Sequence, residues 1–538
     1  MPFPETTGNG APVGPTCTDG NCESGRVIVR IRRRVGVPPS ARGRRPVLAS
    51  AGLALTLALA VGCAAEQSAE PQRPSSAPVS TPSPEPPIDE VTPAALAEAV
   101  TLDNVMAHVR ALAQIADNHG GNRAAGTPGY DASLDYVAGL LRTAGFDVTT
   151  PPVEYERFDA GPVSLTADGL KVATRVVEYS AGTGDTPVTG APVAVNGLGC
   201  ASTDFPATTR GAIAVITRGT CTFADKARNA ESAGAVGVVM VNNEPGPLTG
   251  ATLGPDDRPG IPVLGIAGDD ADRVRSARSV ALAVEAKTTG ITTRNLIAET
   301  RTGSGDDVVM AGAHLDSVAE GPGMNDNASG SAAALETALR LGSSPRVPHR
   351  VRFAFWGAEE DGLVGSTEYV RGLDPAARTA VALYLNFDML ASPNGGYFTY
   401  DGDDSERQGA GPGPDGSGGI ERTFEKFYAD RGIPLAPDDF DGRSDYGPFI
   451  AVGIPSGGVF TGAETKKDEA QAEMWGGRAG EPFDPDYHTA RDTLDNLNTD
   501  LLAVNSAAVA SAVATYALST AGADGVPPPA ERRRADEG

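Results

Sequence analysis

The stretch "DVVMAGAHLDS", residues 307–317, is a run of small and apolar residues that stops abruptly at a histidine and an aspartate. A strand exposed on one side alternates polar and apolar positions; an unbroken apolar run marks a strand covered on both faces. Two further stretches repeat the form, "RVRFAFWGAEE" (350–360) and "TAVALYLNFDML" (379–390), and in each the apolar run ends at charged or polar residues. The alanine-rich "SAAALETALR" (331–340) between the first two has the composition of a helix. Strands alternating with helices predict an α/β domain whose sheet is flanked by helices.

Working outward, residues 95–119 and 129–150 carry apolar positions at three- and four-residue spacing, so each reads as a helix, the second turning at Gly145 into a strand. From 152 to 287 the texture changes to short valine- and glycine-rich runs such as "APVAVN", "GAIAVITRG" and "GVVMVNN", with one convincing helix in "TFADKARNAESAGA". This is a β-rich insertion between a first part of the α/β domain, 91–151, and a second part, 288–520. Residues 521–538 read as a disordered tail.

The N-terminus reads as an address. Basic residues precede the apolar "PVLASAGLALTLALAVGC" (46–63), and the Pro/Ser-rich "AAEQSAEPQRPSSAPVSTPSPEPP" (64–87) follows. The order is that of an export signal over 1–63 and a tether over 64–90. The apolar stretch is short for a membrane span, and Cys63 at its end resembles the lipidated cysteine of a bacterial lipoprotein signal, a cell-surface anchor; a plain secreted protein cut nearby is the other reading. Sec and twin-arginine export both stay open. With Cys63 assigned to the anchor, Cys200 and Cys221 remain in the folded part, and one disulfide between them suits an oxidising compartment; two free buried thiols are the alternative.

The 538 residues carry a formal net charge of −25. That excludes a nucleic-acid-binding role as the main function, since such grooves need basic surface. It fits a solvated exported protein, and a monomer is expected.

In an open α/β sheet, ligands bind beyond the carboxyl ends of strands. His314 and Asp316 stand at the end of the first run, Glu359 and Glu360 at the second, and Asp388 at the third. Asp326 follows in the tight "GMNDNASG" (323–330), and His488 arrives in "DYHTARDTLDN" (486–496). Two imidazoles and many carboxylates without thiolate suit zinc, and the number of acids suits two ions. A carboxylate bridging two ions needs small neighbours, which glycine, alanine and serine around Asp326 supply. Asp316 is placed to accept the second N–H of the His314 ring. In the Glu359–Glu360 pair one acid can bind metal while the other handles a proton. Each motif alone also has a plain structural reading, a satisfied strand-end histidine or a solvated acidic loop. His108, His119 and His349 read as structural.

Taken together, "GAHLDSVAEGPGMNDNASG", "FAFWGAEEDGLVGS", "LNFDML", "FDGRSDYGPF", "FTGAE" and "YHTARDTLDN", in this order, resemble the secreted streptomycete-type two-zinc aminopeptidases of the zinc exopeptidase superfamily. The resemblance implies a three-layer zinc exopeptidase-like domain with a mixed central sheet. It also implies two Zn2+ ions held by His314, Asp326, Asp388, Glu360 and His488, with Asp326 bridging, and leaves calcium open. Glu359 is then the general base and Tyr487 the donor to the developing oxyanion. Met389, Gly442 and Phe460 match positions of the side-chain pocket, favouring leucine-like residues, and Arg443 is a candidate anchor for a substrate or product carboxylate. The substrates implied are peptides. The insertion, through "GLGCASTDFP", "ITRGTCTFADKARNAESAGAVGVVMVNN" and "IPVLGIA", resembles a protease-associated domain in which Cys200 and Cys221 match a paired position. One departure is that Asp486 and Arg491 stand where cysteines flank the last histidine in the relatives. Carboxypeptidases and one-zinc glutaminyl cyclases of the same superfamily, and a non-catalytic peptide-binding protein, are the rival readings.

Overall fold

The computed structural model describes residues 85–256, 258–407, 409 and 411–532. The export segment, Cys63 and most of the tether lie outside them.

A mixed eight-stranded sheet organises the α/β domain. Its order is Asp147–Thr149, Leu296–Glu299, His349–Trp356, Ser304–His314, Val381–Phe387, Ser456–Phe460, Phe398–Tyr400 and Ala436–Asp438. The three apolar runs are its centre, and they pair in parallel, so their carboxyl ends open on one edge. Side chains of a strand alternate between faces, and here both faces are packed. Phe353 and Phe355 enter one core while Ala354 and Trp356 enter the other; Val309 and Ala311 oppose Val308 and Met310 in the same way. The first core is closed by the helices Leu102–Asn118, Pro128–Thr143, Gly330–Leu341 and Thr499–Leu518. The second is closed by Val364–Gly372 and Tyr446–Ala451, where Phe449 stacks on Tyr384 with ring centroids 4.0 Å apart. The three layers follow from strands that have no polar face to offer water.

Residues 95–119 form two helices rather than one, Pro93–Ala99 and Leu102–Asn118. Thr101 caps the second, its hydroxyl accepting the Asn104 N–H at 3.4 Å, and a threonine whose side chain bonds the backbone favours a cap over a helix interior. Gly145 has φ +89°, a left-handed turn between helix and strand that a side chain would strain.

The insertion contains a four-stranded and a five-stranded sheet. Ile213–Thr217, Gly237–Val241 and Val263–Ile266 run in parallel and with the helix Phe223–Ser232 form a separate core. Two long strands, Pro152–Ala167 and Val280–Arg294, pair antiparallel from Ala167↔Val280 to Pro152↔Arg294. The second crosses residue 288 unbroken, so the two parts of the chain are joined by paired strands and no loop separates them there. Cys200 and Cys221 are joined as a disulfide, sulfurs 2.10 Å apart.

Two terminal expectations are corrected within the described residues. At the end of the tether, the Ile88 N–H donates to the Arg340 carbonyl at 2.9 Å and Arg340 pairs with Glu85 at 3.1 Å. In the tail, residues 521–532 are ordered against the domain: Val526 enters the main core, and Arg532 donates to the Thr379 carbonyl at 2.7 Å and pairs with Asp307. A polar, proline-rich composition concealed two residues that dock.

Candidate metal centre

His314 is the last residue of its strand, Asp388 the first after its own, and Glu359 and Glu360 follow Trp356 by three and four positions. The parallel register therefore delivers four side chains to one edge. Asp326 comes from the segment Met324–Ser329 leading into the Gly330–Leu341 helix, and His488 from a loop. The Asp326 carboxylate lies between two groups. Its Oδ1 faces His314 Nε2 at 3.2 Å, and that nitrogen is 3.1 Å from Asp388 Oδ1. Its Oδ2 faces His488 Nε2 at 3.2 Å, which is 3.0 Å from Glu360 Oε2.

The opening of the 323–330 segment is tight for a steric reason. A side chain at Gly323, where φ is +64°, would collide with the Asp326 carbonyl and Ser317, and one at Gly330 with the Phe387 carbonyl. The Asp326–Asn327 peptide bond is cis. The flanking asparagines bind outward. Asn325 Nδ2 donates to Ser392 at 3.1 Å and Asp484 at 2.6 Å, and Asn327 Nδ2 to the Phe387 carbonyl at 2.9 Å.

Asp316 is buried beside His314, but the ring's Nδ1 lies nearer its backbone carbonyl (3.2 Å) than its carboxylate (3.8 Å). That carboxylate instead accepts the N–H groups of Glu359 (3.2 Å) and Glu360 (3.3 Å), so it fixes the loop carrying both acids. Burial pushes its carboxyl up to about 6 despite His314 nearby.

Burial, with Asp326 alongside, pushes Glu360 up to about 8, and burial raises Glu359 well above the carboxylate range although His314 opposes it. Burial would lower His488, but its hydrogen bonds to Asp326 and Glu360 bring it up to about 10; His314 likewise rises against burial through Asp388 and Glu359. Glu359 and Glu360 driven toward neutrality, and Asp326 kept ionised by imidazoles that are themselves driven toward the cation, together describe a cluster that demands positive charge. A metal fits on independent grounds. Ligand atoms of His314, Asp326 and Glu360 lie within 4.8 Å of one another, and the buried Glu360 Oε1 has no hydrogen-bond partner. Nitrogen and carboxylate donors without thiolate match zinc.

A cavity opens on this cluster, lined by Asp326, Glu359, Asp388, Met389, Phe460 and Tyr487 among others. Gly442, expected in that pocket, lines a neighbouring cleft with Phe440 and Ile450, in a turn where its φ is +79°. Arg443 does reach the cavity, where it grips Glu464 at 2.9 Å and lies 3.3 Å from the Tyr487 hydroxyl. Tyr487 stacks on His488 with centroids 3.7 Å apart; burial holds its phenol well above the ordinary value, so it remains a donor. Arg491 pairs with Asp486 at 2.6 Å, bracketing Tyr487 and His488. His108, His119 and His349 contact Glu336, the Ile115 carbonyl and Asp307, away from the cluster.

Sequence reading missed Asp492, Ser444 and Arg123. Asp492 accepts the N–H groups of Asn325 (2.7 Å) and Asp326 (3.0 Å), and Ser444 donates to Asp388 Oδ2 at 2.7 Å. Both sit inside motifs already noted, "YHTARDTLDN" and "FDGRSDYGPF", where an extra buried polar residue is the only signal. Fully buried Arg123 donates to the carbonyls of Leu315, Pro322 (3.0 Å) and Gly323 (2.7 Å), tying down the loop that precedes Asp326. Burial lowers its pKa to about 10, so it stays charged at neutral pH. Arg123→Met leaves these carbonyls without a charged donor, and the expected loss is about 3–5 kcal/mol of stability, read as a lower urea midpoint. An unchanged midpoint contradicts that role.

Residues 295–513 match the model of peptidase family M28 and residues 188–274 that of the PA domain. The probable lipoprotein aminopeptidase LpqL of Mycobacterium tuberculosis is 49% identical over 448 residues, covering 82% of this chain and 90% of the relative. An aminopeptidase of Pseudomonas aeruginosa is 41% identical, covering 80% and 83%. Among solved structures, an aminopeptidase from Aneurinibacillus sp. strain AM-1 has a TM-score of 0.60 at 27% identity, covering 78% of this chain and 95% of the other. BSAP, a zinc aminopeptidase from Bacillus subtilis, has a TM-score of 0.51 at 26% identity, covering 79% and 98%. On these matches the chain belongs to peptidase family M28 and carries a PA domain.

Proposed function

We propose that this protein is an exported two-zinc aminopeptidase that removes N-terminal, leucine-like residues from peptides. The observation that carries the two-ion reading is the division of Asp326: one oxygen faces His314, which contacts Asp388, and the other faces His488, which contacts Glu360. His314, Asp326 and Asp388 would hold one ion, and Asp326, Glu360 and His488 the other. Zinc held there would supply Lewis acidity, polarising the scissile carbonyl and lowering the pKa of the attacking water so that it can lose its proton near neutral pH. The chain's own groups do the rest. Glu359, at the cavity wall and outside the close contacts around Asp326, takes the proton from the attacking water and delivers it to the leaving amine nitrogen. Tyr487 Oη donates to the oxygen of the carbonyl under attack. Asp316 keeps Glu359 and Glu360 in fixed directions through their backbone N–H groups. Met389 and Phe460 offer apolar wall to the first side chain.

A non-catalytic peptide binder has no use for a buried Glu359, and a one-zinc cyclase has no use for the second half of the cluster. The relatives' names as aminopeptidases support the same choice. The test is hydrolysis of leucyl-p-nitroanilide by the purified protein. Turnover is expected, with loss under chelator, return with zinc, and none on the N-acetylated substrate. Turnover of a blocked peptide from its C-terminus, or no turnover with zinc present, overturns the reading.

For location, the signal-like 46–63 stretch and the word lipoprotein in a relative's name support a lipid anchor on Cys63. Cys63→Ala is expected to move the protein from the membrane fraction to the medium or soluble fraction. An unmodified Cys63 in mature protein, or no change on substitution, contradicts the anchor.

A further inference from the structure

The cavity that opens at the cluster is not apolar throughout, for Asp438 and Asp441 share its walls with Phe398, Tyr400 and Phe460. Three acids there lie outside the proposed ligand set and the base, and two of them are engaged. Glu464 holds Arg443, and Asp441 accepts the Tyr446 hydroxyl at 2.7 Å and the Arg443 N–H at 2.9 Å. The Asp438 carboxylate has no hydrogen-bond or ion-pair partner among the described residues, although its backbone carbonyl accepts the Asp401 N–H at 2.7 Å. It ends the Ala436–Asp438 strand, in register with Tyr400 and three strands out in the sheet from the one that precedes Asp388. Burial first, then Asp441 and Asp439, push its carboxyl up to about 7 against the pull of Arg443. A half-buried carboxylate among other acids is costly until a cation reaches it. The aromatic walls it shares in that cavity, Phe398, Tyr400 and Phe460, suit a long methylene stem and its cationic tip.

We infer that the cavity accepts an N-terminal lysine or arginine, with Asp438 receiving the ammonium or guanidinium while Phe398, Tyr400 and Phe460 pack along the stem. This rests on the aminopeptidase reading and widens it: the same walls take leucine without using Asp438, whereas a basic side chain uses both.

The experiment compares kcat/KM of the intact protein on the p-nitroanilides of lysine, norleucine, Nε-acetyl-lysine and leucine, then repeats the series with Asp438→Asn. Norleucine keeps most of the stem without the charge, and acetylation keeps the length while removing it. Lysine is expected to exceed both by about tenfold or more, as a charge-assisted hydrogen bond requires, and the lysine-to-norleucine ratio to fall by a similar factor in Asp438→Asn. Because a ratio is read, a general loss of activity in the variant cancels, and the wild-type comparison stands even if the variant does not fold. Equal turnover of lysine, norleucine and acetyl-lysine overturns the inference, as does a ratio that survives Asp438→Asn. Leucine turnover without lysine preference defeats this inference alone; absence of turnover on all four defeats the aminopeptidase reading with it.

Discussion

Glu359→Gln is expected to slow leucyl-p-nitroanilide turnover by about 10²–10⁴-fold while zinc content and substrate affinity stay near wild type. Glutamine keeps the shape and hydrogen-bonding capacity of the side chain but cannot take a proton from water. Glu359 lines the cavity and stands apart from the close contacts that join Asp326 to the two histidines, so its loss should leave the ligand set intact. The neighbouring Glu360→Gln should behave differently, because Glu360 Oε2 lies 3.0 Å from His488 Nε2 within the group proposed to hold an ion. Its defect should include zinc loss and partial recovery on adding zinc. Turnover and bound zinc measured on both variants separate the roles. An active Glu359→Gln, or zinc lost from it and retained by Glu360→Gln, contradicts the assignment.

Asp326→Asn should be more severe, since one side chain serves both halves of the cluster. The amide removes the charge and keeps only one oxygen, so each half loses an anionic donor. Zinc is expected to fall in both sites together and activity to about a hundredth of wild type or less. The fold should persist, because Asp492 holds the backbone N–H groups of Asn325 and Asp326 without using the Asp326 side chain. Elemental analysis with circular dichroism checks this. Loss of only one ion, with appreciable turnover, contradicts a bridging role.

The parallel centre of the sheet was legible because its strands are apolar on both faces and end in chemistry, as Phe353 to Glu360 shows in eight consecutive residues. The cluster was legible for the same reason, with Asp326 marked by its small neighbours. What escaped has a physical pattern. Arg123 and Asp492 act on the backbone of a loop far from them in sequence, and nothing in their local context signals a remote carbonyl or N–H. Thr101 breaks a helix whose apolar periodicity continues across it. Residues 521–532 looked disordered by composition, yet Val526 and Arg532 fill places prepared by the main core and by Asp307. Gly442 is placed in the pocket by the family resemblance alone, and it lines the neighbouring cleft.

The central claim is that one aspartate joins two zinc sites into a single hydrolytic centre. The most direct measurement is a zinc titration of metal-stripped protein, with bound zinc and leucyl-p-nitroanilide turnover followed in the same samples. The account predicts full activity on binding two zinc ions per chain; full activity with one ion bound, or saturation at one, contradicts it.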